Sequence, residues 1–136
     1  MGHAATMERI YELISAHDIE GFSGLLAEGF VEHEELPGGG PPTREGVERF
    51  FRDQIAAFPD FAMTLLQVVD GGDTVAARVR ATGTQQGEFM GLPATGRAID
   101  VEAIDIMRFG DDGLVHEHWG VFDGLRMMEQ LGAIPS

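Results

Sequence analysis

The chain has 136 residues, 43% of them apolar, and a net charge of −14 from 9 basic and 23 acidic side chains, with no cysteine. That length and apolar content suit one globular domain over residues 1–136, with a single sizeable core. The acidic balance speaks against nucleic acid and anionic membranes as partners, and the lack of thiols excludes disulfide and thiolate chemistry.

The N-terminal MGHAATMERI has no apolar leader core, and no stretch reaches transmembrane length, so a cytoplasmic protein is expected. Thr6 can cap a first helix in which Met7, Ile10, Leu13 and Ile14 recur at helical spacing. Asp18 restarts the pattern, and Ile19, Phe22, Leu25 and Leu26 form a second stripe closed by Gly29. Phe30 to Leu36 is a short segment carrying His33 among three glutamates. PGGGPP, Pro37 to Pro42, is a loop. Thr43 then caps a third helix, with Val47, Phe50, Phe51, Ile55 and Phe58 toward the core until Pro59 stops it.

Beyond Pro59 the period changes from about 3.6 to 2. Phe61 to Val69 reads as a strand, with Gly71-Gly72 as its turn. Thr74 to Gln86 is a long strand with Val75, Ala77, Val79 and Ala81 on one face and Arg78 and Arg80 on the other. GEFMGLPATG, Gly87 to Gly96, is a long hairpin loop. Ile99 to Phe109 is the next strand, and Asp111-Asp112-Gly113 turns it into a last one that ends at Asp123. A short helix with Leu125, Met128 and Leu131 on one side closes the chain. Three helices, four strands and a helix indicate an α+β fold with an antiparallel sheet. A curved sheet wrapped around the three helices leaves an apolar hollow at its open end.

Strand alternation selects what lines that hollow. On Ile99 to Phe109 the odd residues, Asp105 and Met107 among them, face inward. The same parity sends Val115, Glu117, Trp119 and Val121 inward on the last strand, and Gln85 inward on the long one. His116 and His118 then share the opposite face, a reading that a single bulge would reverse. No further ligand joins that pair, so no metal site is expected. Asp123 stands where a strand hands over to a helix. It either faces the hollow as a proton-transfer group or caps the helix, since Asp is a preferred N-cap residue. Two acids close together, Asp105 and Asp123, would drive their pKa values apart and suit proton abstraction beside a carbonyl. His33 can reach the rim of the hollow, and Phe89, Met90 and Leu92 in the hairpin loop can close over a hydrophobic ligand.

The strings GTQQGEFMGLPATGR (Gly83 to Arg97) and IDIMRFGDDGLVHEHWGVFD (Ile104 to Asp123), the terminal QLG, and FVEHEELPGG (Phe30 to Gly39) resemble the SnoaL-like polyketide cyclases. The resemblance implies the nuclear transport factor 2-like fold, a cone-shaped half-barrel around an apolar cavity, and a homodimer. It implies intramolecular aldol ring closure of a polyketide without metal or organic cofactor, with an Asp on the final strand as general acid/base. Asp123 matches that Asp. Asp105 occupies a position where relatives carry His, and Gln85-Gln86 one where the string reads His-Thr. The expected activity is thus cofactor-independent acid/base chemistry on a hydrophobic polyketide or aromatic ligand. Asp123, Asp105 and His33 would be catalytic, and Trp119, Gln85, Phe89, Met90 and Met107 would bind substrate. The alternatives are a non-catalytic ligand-binding or dimerisation module of the same fold, or a related isomerase or hydroxylase.

Overall fold

In a computed structural model that describes residues 2–135, helix α1 (His3–Ser15) starts three residues before Thr6. Gly2 is its N-cap and offers no side chain, and the Thr6 hydroxyl turns back onto the Gly2 carbonyl (3.2 Å) within the first turn. Burial of Met7, Ile10, Tyr11, Leu13 and Ile14 holds this helix, as short helices require. Asp18 caps α2 (Ile19–Ser23), its carboxylate accepting from the Gly21 N–H (2.9 Å).

α2 is shorter than its apolar stripe predicts. The chain leaves the helix at Gly24, and Leu26 opens a strand, β1 (Leu26–Glu32), that runs parallel to the last strand. Glu32 is buried on β1 beside Phe30 in the alternation. A charged residue at an inward position breaks the apolar/polar pattern by which a strand is recognised. Helix α3 (Arg44–Ala57) follows the loop, and the Thr43 hydroxyl accepts from the Gly46 N–H (3.2 Å) at its start. Fully buried Phe58 ends it.

The remaining elements are β2 (Ala62–Asp70), β3 (Thr74–Thr84), β4 (Ala98–Phe109), β5 (Val115–Phe122) and α4 (Gly124–Gln130). The sheet order is β1-β5-β4-β3-β2, antiparallel except for the β1–β5 pair. The sheet is therefore five-stranded and mixed, where four antiparallel strands were expected. It is curved and unclosed. Helix α1 packs on β2 and β3, α3 on β1, and α2 against both helices, which seals the concave side. On the convex side Arg78 pairs with Glu102 (2.5 Å) and Arg80 with Asp100. No described helix is long and apolar enough to cross a membrane.

One irregularity decides which residues of β5 face inward. Phe109 pairs with Val115, whereas Arg108 pairs with Glu117, so β5 carries one extra residue, His116. A one-residue insertion exchanges the two faces of the strand beyond it. Val115 is buried beside Phe109, but from there onward the even residues His118, Gly120 and Phe122 take the concave side. Glu117, Trp119 and Val121 point outward, and Val121 is 70% exposed. The uninterrupted parity expected for this strand is corrected by the bulge.

At the end of β5, Asp123 is the N-cap of α4 and accepts from the Arg126 N–H (3.1 Å). Replacing an N-cap carboxylate by Ala removes one partner of the orphan first-turn donors. Asp123→Ala should therefore lower unfolding free energy by about 0.5–2 kcal/mol in urea titrations.

Candidate active site

The concave face of the sheet and the three N-terminal helices enclose a cavity of about 120 Å³. A single water needs only about 10–15 Å³ on this measure, so the hollow is of ligand size. Its walls are apolar for the most part, with Ile14, Phe22, Phe50, Phe51, Phe61 and Val101 among them. Six polar side chains interrupt them: Tyr11, Glu32, Glu34, Gln54, Asp105 and His118.

Four of these form one hydrogen-bonded set. His118 Nε2 bonds Asp105 Oδ1 (2.8 Å) and His118 Nδ1 bonds Glu32 Oε1 (2.5 Å). The Tyr11 hydroxyl donates to Asp105 Oδ2 (2.6 Å). Burial disfavours charge on His118, yet its hydrogen bonds to Asp105 and Glu32, and their negative charge, lift its pKa to about 10. The ring is an imidazolium at neutral pH, with each N–H donating to a carboxylate. Burial and the neighbouring Asp105 carboxylate push the Tyr11 phenol well above its usual range.

Glu34 lies outside this set and makes no side-chain hydrogen bond to any described residue. Burial raises its pKa, the His118 charge lowers it, and Asp105 and Glu32 raise it again, to about 7. Gly120 makes room for it. A Cβ at Gly120 would sit 2.6 Å from Glu34 Oε1, 2.8 Å from Asp105 Oδ1 and 2.8 Å from His118 Cε1. Two carboxyl groups and an imidazolium thus converge on the one inward position of β5 that has no side chain, directly across the ladder from Asp105. A carboxyl group that titrates near neutrality beside a fixed cation can take a proton and return it.

Of the residues singled out in the sequence, Asp105 and Met107 line the cavity. Asp123 does not: it is exposed and occupied as a cap. His33 and Trp119 stack on one another (4.7 Å between ring centroids) on the outward side of β5, and His33 Nε2 bonds Glu117 (3.2 Å). Gln85 is fully buried outside the cavity. Its amide donates to the Gly87, Leu92 and Pro93 carbonyls and accepts from Thr95, which pegs the hairpin loop in place. Phe89 packs edge-on against Phe58, and Met90 is exposed at the tip of that loop. The bulge parts His116 from His118, and His116 bonds Asp112 (3.0 Å) at the turn. Among the described residues no three His, Asp or Glu side chains are disposed to hold a metal ion.

Tyr11, Glu32 and Glu34 were not found from the sequence, although signals existed, and His118 was placed on the opposite face, a reading that the bulge reverses. Tyr11 follows Ile10 on the apolar stripe of α1, where a phenol is out of place. Glu32 and Glu34 share the parity of Phe30 and Leu36, which only a strand would reveal.

His118 and Glu34 make stability fall with rising pH. Each has a folded-state pKa above its ordinary value, 6.5 and 4.5 respectively. The native protein therefore holds more protons than the unfolded chain, between about pH 4.5 and 7 for Glu34 and between about 6.5 and 10 for His118. The His118 contribution is complete below pH 6.5 and is lost through pH 10. With no lysine and a single tyrosine in the chain, few other groups titrate in that upper window. Tm should drop by about 5 °C or more between pH 6.5 and 9.5 in a calorimetric scan. A flat profile would show that His118 is not held as a cation.

Residues 4–131 match the family model for SnoaL-like polyketide cyclase. Among solved structures, the chain is similar to IdmH of Streptomyces antibioticus, a candidate polyketide cyclase. The two share 35% identity over 96% of this chain and 98% of IdmH, with a TM-score of 0.84. TsrD of Streptomyces laurentii shares 30% identity over 94% of this chain and 92% of its own, with a TM-score of 0.84. AclR of Streptomyces galilaeus, a candidate hydroxylase, shares 27% identity over 98% of this chain and 82% of its own, with a TM-score of 0.85. No curated protein matches the sequence. With its curved open sheet, helix-sealed cavity and matching sequence from residue 4 to residue 131, the chain belongs to the SnoaL-like polyketide cyclase family.

Proposed function

We propose that this protein is a cofactor-independent acid/base enzyme that closes a ring in a hydrophobic polyketide or aromatic ligand by an aldol-type step. Glu34 is the proton-transfer group. The observation that carries this reading is the convergence of Glu34, Asp105 and His118 on Gly120 inside an apolar cavity. Fold alone does not choose a reaction, and the relatives carry more than one designation, so the weight rests on that cluster.

Ionised Glu34 removes a proton from the carbon next to a ligand carbonyl, and the C–H electrons form an enolate. The imidazolium of His118, whose two N–H groups are taken by Glu32 and Asp105, offers its positive charge rather than a hydrogen bond to the negative charge that develops on oxygen. The enolate carbon attacks a second carbonyl of the same ligand and a C–C bond forms. The new alkoxide takes the proton back from Glu34, which regenerates the carboxylate. The ligand is isomerised with no net gain or loss of atoms or electrons, so no oxidant or reductant is consumed. Asp105 is a positioning residue: with Tyr11 on one oxygen and His118 on the other, it holds the cation in place.

The outer sheet face supports a homodimer. Ile104 and its cross-strand neighbour Val121 are 49% and 70% exposed, and exposed apolar pairs on a sheet face mark contact surfaces in many assemblies. The parent chain should sediment as a dimer and Val121→Arg as a monomer.

Hydrogen–deuterium exchange at the carbon beside the carbonyl of 2-tetralone, followed by NMR in D₂O, reads proton abstraction without the natural substrate. The protein should accelerate exchange, with a rate that rises through about pH 7 as Glu34 ionises. Glu34→Gln should slow it about 10²–10⁴-fold, and Asp123→Asn should leave it unchanged. Parental exchange in Glu34→Gln would refute the assignment, and loss in Asp123→Asn would return the role to Asp123.

A further inference from the structure

Two polar side chains of the cavity wall make no side-chain hydrogen bond to any described residue, Glu34 and Gln54. Glu34 is accounted for by proton transfer. Gln54 is 6% exposed, on the buried face of α3 with Val47, and Phe50 and Phe51 line the cavity from the same helix. Elsewhere the protein satisfies buried amides fully: Gln85 makes five hydrogen bonds in the interior. The amide atoms of Gln54 are not sealed off in the interior, since the buried side-chain polar atom without a partner among the described residues is Arg44 Nε, and leucine or methionine would fill the same volume on this helix. The amide opens onto the cavity, so the partner it lacks inside the protein can come from a bound ligand.

Gln54 also lies toward the far end of α3 from β1, whose Glu32 N–H donates to the Pro42 carbonyl (3.0 Å) just before the helix. Gly46, at the start of α3, packs on the Pro41 backbone in the loop that follows Glu34. Gln54 lies eight residues further along the helix, about 12 Å at the usual rise. Between them the helix presents Val47, Phe50 and Phe51 to the cavity. Along α3 the wall is thus apolar up to Gln54.

We infer that Gln54 is a specificity-determining residue that hydrogen-bonds a second oxygen function of the ligand, a hydroxyl or carbonyl remote from the one addressed by Glu34 and His118. The inference rests on the reading of the Glu34 end as the reacting end, and it narrows the ligand class to apolar ring systems oxygenated at both ends. An amide offers both donors and an acceptor, so it accepts from a hydroxyl or donates to a carbonyl. A site built to pair with such a group discriminates against the analogue that lacks it, because the buried amide is then left unpaired.

The probes are 2-tetralone and its 5-, 6-, 7- and 8-hydroxy derivatives, with affinities measured by calorimetry. At least one hydroxytetralone should bind the parent protein about tenfold more tightly than 2-tetralone. That advantage should disappear in Gln54→Leu and in Gln54→Met, which keeps the side-chain length and removes the amide. If no hydroxyl position gains affinity, or if the gain survives both substitutions, the assignment of Gln54 is overturned. Calorimetry requires no turnover, so the two readings fail separately. A hydroxyl preference that depends on Gln54, in a protein that does not accelerate exchange, refutes the proton-transfer role of Glu34 alone. Accelerated exchange without the preference refutes the Gln54 assignment alone.

Discussion

An imidazolium held between two carboxylates in a greasy hollow is the interaction on which the site depends. Charges buried this deeply cost several kcal/mol each unless every donor and acceptor is met. His118 meets that demand with one N–H on Glu32 and the other on Asp105, and Tyr11 occupies the second Asp105 oxygen. Glu32 and Asp105 place two negative charges around one positive charge. Burial is the main reason that Glu34, brought close to them, cannot ionise at its ordinary pH, and the charges of His118, Asp105 and Glu32 adjust the value from there. The hollow and the buried triad together therefore set the chemistry of a residue to which the triad makes no hydrogen bond.

The geometry of that triad follows from one extra residue. Without His116 inserted in β5, the strand would turn His118 and Gly120 to the outer face and bring Glu117 and Trp119 into the cavity. The cation would then be lost, and so would the vacancy into which Glu34 projects. The parallel pairing of β1 with β5 completes the arrangement, because Glu32 is aligned with His118 in the ladder. The site is assembled from α1, β1, β4 and β5, four elements far apart in the chain, and the bulge brings them into register.

Much of the fold was legible in the sequence. The stripe of α1, the Thr43 cap and Pro59 stop of α3, and the alternation of β3 and β4 were all in plain view, and Asp105 and Met107 were assigned to the correct face. β1 was hidden because its inward positions include glutamate, which looks like a solvent residue until its partner His118 is known. The face of β5 was misread because a bulge leaves no compositional mark; HEHWG alternates as well in one phase as in the other. Asp123 illustrates a different limit. Its type and position fit a cap and a catalytic acid equally well, and only the direction of the backbone separates them. Gln85 was read as facing inward, and it is indeed fully buried, but its five hydrogen bonds go to the hairpin loop.

Gln54, which was not singled out from the sequence, is a polar residue on the buried face of α3, spaced with Val47, Phe50 and Phe58 as a core residue would be. A polar side chain in such a stripe is either paired by the protein or kept for something that enters. Glu34 and Gln54 are the two polar side chains of the wall without a side-chain hydrogen bond to a described residue, and the apolar lining sets the shape of what can enter. The central claim, that burial beside the triad holds Glu34 poised near neutrality, is tested most directly by titrating its side-chain carboxyl by ¹³C NMR in glutamate-labelled protein. A midpoint near 7 is expected. A midpoint at the ordinary glutamate value, near 4.5, would contradict it.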